Sequence, residues 1–105
     1  MTAWIITRDL IEPNEAVGVT GPREATANDI ARLKAGEGIA FRLLDDDGEV
    51  YYYGRRLETS ECDDAYAEYG GGGAELAPLD CFGTPNAGAV TQEEKNASGK
   101  WEAIN

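Results

Sequence analysis

Carboxylates are the one chemically versatile group this chain holds in quantity. Of its 105 residues 20 are Asp or Glu and 9 are Lys or Arg, a net charge of −11, and histidine is absent. Without imidazole there is no Ser–His or Cys–His nucleophile pair and no His-containing metal site. The densest acidic run, Asp45-Asp46-Asp47-Gly48-Glu49, invites a calcium reading. A calcium loop of the EF-hand kind needs acids at positions one, three and five, glycine at six and a bidentate Glu at twelve. Here the glycine directly follows the third Asp and no Glu stands at the twelfth place, so a solvated hairpin turn accounts for the residues and no metal is expected. Gly18-Val19-Thr20-Gly21-Pro22-Arg23 is a faint phosphate loop without the Lys-Ser/Thr that would touch phosphate and magnesium. Cys62 and Cys81 match neither a zinc pattern nor a Cys-x-x-Cys redox pair. In a reducing compartment both are thiols, and acidic neighbours Glu61, Asp63 and Asp80 disfavour a nucleophilic thiolate. Two carboxylates could in principle do glycoside or phosphate chemistry, but with 20 acids any chosen pair is arbitrary. The expectation is a non-enzymatic protein with no catalytic residue and no cofactor.

The distribution of charge is more informative than its total. Residues 57–94 contain nine acids and no Lys or Arg. Such a field repels nucleic acid and attracts a basic surface. Direct DNA or RNA binding is therefore excluded, since phosphate contacts need Lys and Arg in excess. The expected partner is a basic nucleic-acid-binding protein whose cleft the acids occupy in place of phosphates. The residues assigned to that contact are Asp45, Asp46, Asp47 and Glu49 at a hairpin tip, then Glu58, Glu61, Asp63, Asp64 and Glu68 in an acidic loop, with Tyr66 and Tyr69 as interface anchors. The competing reading makes the acids a solubility device only. Function would then lie with an apolar surface or with homodimerisation through an exposed strand edge. No apolar run approaches the ~20 residues of a membrane span, and the opening residues hold none long enough for a signal-peptide core. A cytoplasmic location follows as the expectation.

These groups must be positioned by a small number of elements. Trp4 to Arg8 alternates like a strand, and adjacent Ile5 and Ile6 imply that both of its faces are covered. Turn signals surround Val17 and Val19, where the chain pairs at most briefly as an edge. Thr26-Ala27-Asn28-Asp29 predicts a capping box, and a helix follows to Gly36 with Ile30 and Leu33 on one face. It is too short to stand alone and must pack on a sheet. Ile39–Leu44 and Glu49–Tyr53 predict a hairpin at the centre of that sheet, turned at Asp47-Gly48. Tyr51 and Tyr53 then share one face and Tyr52 takes the other. Residues 58–76 form an acidic, glycine-rich loop of the kind that is either functional or disordered. Pro78–Gly88 is too rich in Pro, Gly and Asn for a regular element, with Leu79 and Phe82 as core anchors. Ala89–Gln92 and Lys100–Ile104 predict a last hairpin, and Trp4 and Trp101 are expected in the core. The fold class is α+β: one domain over 1–105, with a twisted, mostly antiparallel sheet of about five strands and one short helix on a face.

Four segments carry a resemblance: Ala3–Ile11, Val17–Arg23, Phe41–Tyr51 and Pro78–Gly88. Through them the chain resembles small uncharacterised bacterial proteins, some from phage and plasmid contexts. The resemblance implies no activity and no functional residue. In size and charge the chain is also similar to the acidic inhibitors that mobile elements direct against nucleic-acid-binding systems, anti-CRISPR proteins and other DNA mimics among them.

Overall fold

A computed structural model describes residues 3–13, 15–23, 25–59 and 76–104. Its centre is the expected hairpin: β3 (Ile39–Leu44) returns as β4 (Val50–Arg56), with Gly48 at φ +84 closing the turn where an L side chain would be strained. Against β4 lies β1 (Trp4–Asp9), which in turn carries the short β2 (Thr20–Gly21). On the other side of β3 come β5 (Thr91–Lys95) and β6 (Trp101–Ala103), the last hairpin. All ladders are antiparallel and the order is β2-β1-β4-β3-β5-β6. The sheet thus has six strands, one more than expected, because the turn-rich segment after Val19 does pair with Trp4 and Ile5.

The two faces are covered differently. On one, α1 (Ala27–Lys34) buries Leu33 against Ala3, Ile5 and Leu57. Its capping box forms as expected, with Thr26 Oγ1 accepting from the Asp29 amide at 3.1 Å and Asp29 Oδ2 accepting from the Thr26 amide at 3.4 Å. Arg55 Nη2 donates to the Leu33 carbonyl at 2.7 Å, setting a cation where the helix dipole is negative. On the other face, Trp4, Ile6, Phe41, Leu43 and Tyr52 pack beneath Ala77, Leu79 and Phe82. Ile5 and Ile6 therefore point into different cores, as their adjacency requires. Gly54 is needed here, since a Cβ would collide with the Phe41 ring and the Ile5 carbonyl.

Two expectations fail. Pro78–Gly88 is helical: a π-helical turn over Pro78–Gly83 runs into α2 (Thr84–Ala87). Pro78 stands in the first turn of the run, where a missing N–H breaks no bond, and Pro85 stands at the seam where the π-helical turn passes into α2. Leu79 and Phe82 are the anchors expected of them. Trp101 is the second departure. It lies half-buried on the edge strand β6 rather than in the core, with the Tyr53 ring at 5.9 Å and the Arg42 guanidinium at 4.5 Å.

The π-helical turn is tied to the sheet by a buried polar chain. The Leu79 amide donates to Gln92 Oε1 at 3.2 Å, and Gln92 Nε2 donates to Glu94 Oε2 at 3.3 Å. Glu94 in turn accepts both Nε and Nη2 of Arg56, the latter at 2.8 Å. A single relay thus runs from the turn across β5 to β4. Among the described residues no helix is long and apolar enough to cross a membrane.

Candidate acidic interface

The ladders bring three segments to one end of the sheet. Asp9 pairs with Tyr52, Leu44 with Val50, and Leu44 with Thr91, so the loop after β1, the β3–β4 tip and the approach to β5 share that end. None of the residues 9–22, 43–54 or 80–94 is Lys or Arg. The acids of the first two segments are Asp9, Glu12 and Glu15 in the loop and Asp45, Asp46, Asp47 and Glu49 at the tip; the third holds Asp80, Glu93 and Glu94. The same end holds the large apolar side chains that remain exposed: Leu10, Ile11, Val17, Val19 and Val90.

At the tip the carboxylate oxygens of Asp45, Asp46 and Asp47 come within 4.8 Å of one another. Asp45 differs from its neighbours. Its Oδ1 accepts the amides of Asp47 at 2.9 Å and Glu49 at 2.8 Å, while Oδ2 accepts the Tyr51 hydroxyl at 3.2 Å. The Glu49 amide chiefly holds this carboxyl below its ordinary value, with Asp47 and Tyr51 assisting. Reciprocally, the bond to Asp45 holds the Tyr51 hydroxyl above its own. Asp45 therefore builds the turn, and Asp46, Asp47 and Glu49 present their charge to solvent.

Asp9 does the same work for the other loop. Its Oδ1 accepts the amides of Ile11 at 2.9 Å and Glu12 at 3.0 Å, and its Oδ2 accepts the Ala16 amide at 3.0 Å. The loop so fixed stands beside the helical turns, and between them runs a cleft of about 320 Å³. Asp9, Glu12 and Glu15 contribute its carboxylates, Val19 and Phe82 its apolar wall, and Tyr52 its floor. The Tyr52 ring meets Phe82 edge-on at 4.8 Å. Burial, then the charges of Asp9 and Glu12, push the Tyr52 hydroxyl above its usual pKa.

Not all of the assigned residues meet here. Glu58 follows β4 at its far end, nine positions from Glu49, which at ~3.3 Å per residue is about 30 Å away. Its surroundings are of mixed sign, since Glu58, Glu94 and Lys95 line one concavity and Arg32, Glu37 and Glu58 another. Glu61, Asp63, Asp64, Tyr66, Glu68 and Tyr69 lie outside the described residues, as does Cys62. Cys81 is exposed on the π-helical turn. Asp9, Glu12 and Glu15 were not singled out from sequence. The signal that could have found them is their spacing around Leu10, Ile11 and Val17 in a segment with no base.

On the face that carries α1 the cations are laid on rings. Arg42 and Lys95 stand 4.5 Å and 5.6 Å from the Trp101 centroid, Arg8 stands 5.9 Å from that of Tyr53, and Arg42 is also paired with Glu93 at 2.6 Å. Arg42 is thus engaged within the sheet, while Arg8, exposed and directly before Asp9 in β1, is a base at the margin of the acidic end. Comparison with protein-family models, with curated proteins and with solved structures found no match to this chain.

Proposed function

We propose that the protein is a non-enzymatic binding protein that sets the acidic end of its sheet into a basic, nucleic-acid-binding surface of a protein partner and so blocks it. One observation carries this reading. At that end unneutralised Glu12, Glu15, Asp46, Asp47 and Glu49 stand together with exposed Leu10, Ile11, Val17 and Val19. Carboxylates in the place of phosphates supply steering and exclusion, and the apolar side chains supply desolvated contact. A cytoplasmic setting, where nucleic-acid-binding proteins abound, is part of the proposal. The likeness to acidic mobile-element inhibitors points the same way.

The alternative, a homodimer built on a strand edge, is disfavoured by the edges themselves. β2 has two residues and is followed by Pro22, and β6 has three. Edges this short offer little to pair with. Self-association through the acidic end would set like charges against each other.

The test uses the whole protein as bait beside the variant Asp46→Lys, Asp47→Lys, Glu49→Lys, with Asp45 kept because it builds the turn. The native bait should capture a nucleic-acid-binding protein that added DNA or RNA displaces. Capture should fall steeply between about 0.1 M and about 1 M salt, as the screening length shrinks from ~10 to ~3 Å. Equal capture by both baits, or capture indifferent to salt, refutes the proposal.

A further inference from the structure

The cleft described above has features that acidity alone does not explain. Tyr52 is only 6% exposed. It lines the cleft, yet its hydroxyl has no hydrogen-bond partner among the described residues. The side chain is nearly buried, but the hydroxyl is not among the sealed polar atoms left without a partner, so it opens into the cleft, where a ligand can reach it as donor or acceptor. Both carboxylates that act on it, Asp9 and Glu12, also line the cleft.

Charge and shape then restrict the ligand. The cleft presents three carboxylates and no base, so the ligand is a cation. The trio of carboxylates converging within 4.8 Å among the described residues is that of the hairpin tip, and Asp9, Glu12 and Glu15 are spread more widely than a bare metal ion needs. Dispersed acceptors suit a group with several donors. The walls are aromatic and aliphatic, from Tyr52, Phe82, Ala16 and Val19. A strongly hydrated ammonium gains little from such walls, whereas a planar, weakly hydrated guanidinium stacks on rings while its five N–H groups reach carboxylates at the rim. At about 320 Å³ the space is near the lower bound of ligand clefts and suits one side chain rather than a cofactor.

We propose that this cleft receives the guanidinium of an arginine side chain presented by the partner's basic surface. Glu12 and Glu15 take the charge at the rim, the Tyr52 hydroxyl accepts at the floor, and Phe82 and Val19 enclose the aliphatic stem. Asp9 is a positioning residue, since its oxygens are committed to the amides of Ile11, Glu12 and Ala16. The proposal rests on the interface reading and names the group that the interface would hold.

The probe is N-acetyl-arginine amide, titrated into the whole protein and followed by amide chemical shifts, with the neutral isostere N-acetyl-citrulline amide as control. The arginine probe should shift Ile11, Glu12, Ala16 and Val19 together and saturate in about the millimolar range. Citrulline should bind at least ~10-fold more weakly, as expected where a charge-assisted contact is lost. Tyr52→Phe keeps the ring that packs on Phe82 and removes only the hydroxyl, and it should weaken the arginine probe about 3- to 10-fold. Glu12→Gln with Glu15→Gln changes two exposed side chains and should weaken it at least as much. Equal shifts from both probes, shifts confined to residues 45–49, or unchanged affinity in both variants overturns the proposal. In the capture assay, loss on reversing Asp46, Asp47 and Glu49 but not in the Glu12, Glu15 and Tyr52 variants overturns the cleft and leaves the interface. Arginine held in the cleft with capture indifferent to salt upholds the guanidinium site and overturns the interface.

Discussion

Among the described residues three ion pairs differ in exposure, and their removal should cost stability in the same order. Arg56–Glu94 is the most enclosed, with side chains 13% and 11% exposed, against 24% and 22% for Arg42–Glu93 and 34% and 53% for Arg32–Glu37. Arg56→Met leaves Glu94 with Gln92 Nε2 as its remaining donor and strands a carboxylate in a desolvated place. Breaking a buried pair in this way costs about 3–5 kcal/mol. A domain of this size loses about 5 °C of Tm per kcal/mol, so the midpoint should fall by roughly 15–25 °C. Arg42→Met should cost only about 1–2 kcal/mol, because Glu93 keeps access to water. Arg32→Met should fall within about 1 kcal/mol of the native protein. The double variant Arg56→Met, Glu94→Leu removes both charges and should recover most of the single variant's loss. Thermal and urea unfolding of the five proteins decides the matter. Equal losses at Arg56 and Arg32, or a double variant no better than Arg56→Met, would refute the claim that desolvation ranks these pairs.

Other outcomes follow from the same geometry. The folded pKa of Asp45 is below its unfolded one, so its contribution is present above the ordinary carboxylate value and is lost as pH falls through the lowered one. Asp45→Asn keeps an Oδ1 acceptor for the turn but should flatten that acid limb in urea unfolding followed from about pH 5 to about pH 2. Tyr52 has the opposite sign, its folded pKa being raised, so its contribution holds below the unfolded value and is lost as alkali carries the pH through the folded one. Tyr52→Phe should remove that alkaline sensitivity, read by the same unfolding measurement. Phe82→Ala removes the ring that meets both Trp4 and Tyr52 and should cost about 3–5 kcal/mol, with the chemical shifts of β1 and β4 responding most. Acrylamide should quench Trp101 and spare Trp4, a contrast that Trp4→Phe and Trp101→Phe proteins would display separately.

Local chemistry was legible where it is settled within a few residues. The capping box at Thr26 and Asp29, the glycine at the β3–β4 turn and the two-sided burial of Ile5 and Ile6 all follow from neighbours in sequence. The helical course of Pro78–Gly88 did not, because composition cannot tell a proline that starts a helix from one that stops it. What decides is Leu79 and Phe82 reaching the sheet and Gln92 holding the Leu79 amide, contacts made across more than ten residues. Trp101 misled for a similar reason. An aromatic residue on a strand is expected inside, but here the strand is the edge and the ring is covered by Arg42 and Lys95 instead. The hairpin expected at 45–49 forms, with Asp46, Asp47 and Glu49 exposed at its tip and Asp45 taken up by the turn. The base-free spacing of Glu12 and Glu15 around Leu10, Ile11 and Val17 was a signal in the sequence, but that they stand beside the tip was not, since only the Asp9–Tyr52 register brings the two loops to one end.

Charge placed for solubility alone would be spread over the surface with both signs interspersed. This sheet does otherwise. Among its cations, Arg56, Arg42 and Arg32 pair with Glu94, Glu93 and Glu37, Arg8, Arg42 and Lys95 lie over Tyr53 or Trp101, and Arg55 caps a helix. Asp45 and Asp9 are absorbed into turns. Of the described acids without such a use, Glu12, Glu15, Asp46, Asp47 and Glu49 gather at one end beside the exposed apolar residues Leu10, Ile11, Val17 and Val19, while Glu58 and Glu102 line a separate concavity with Lys95. Charge repulsion keeps two copies of that end apart, while the apolar side chains give a complementary surface something to exclude water from. An end with both properties is poorly suited to self-association and suited to a surface of opposite charge, which is the ground of the binding proposal.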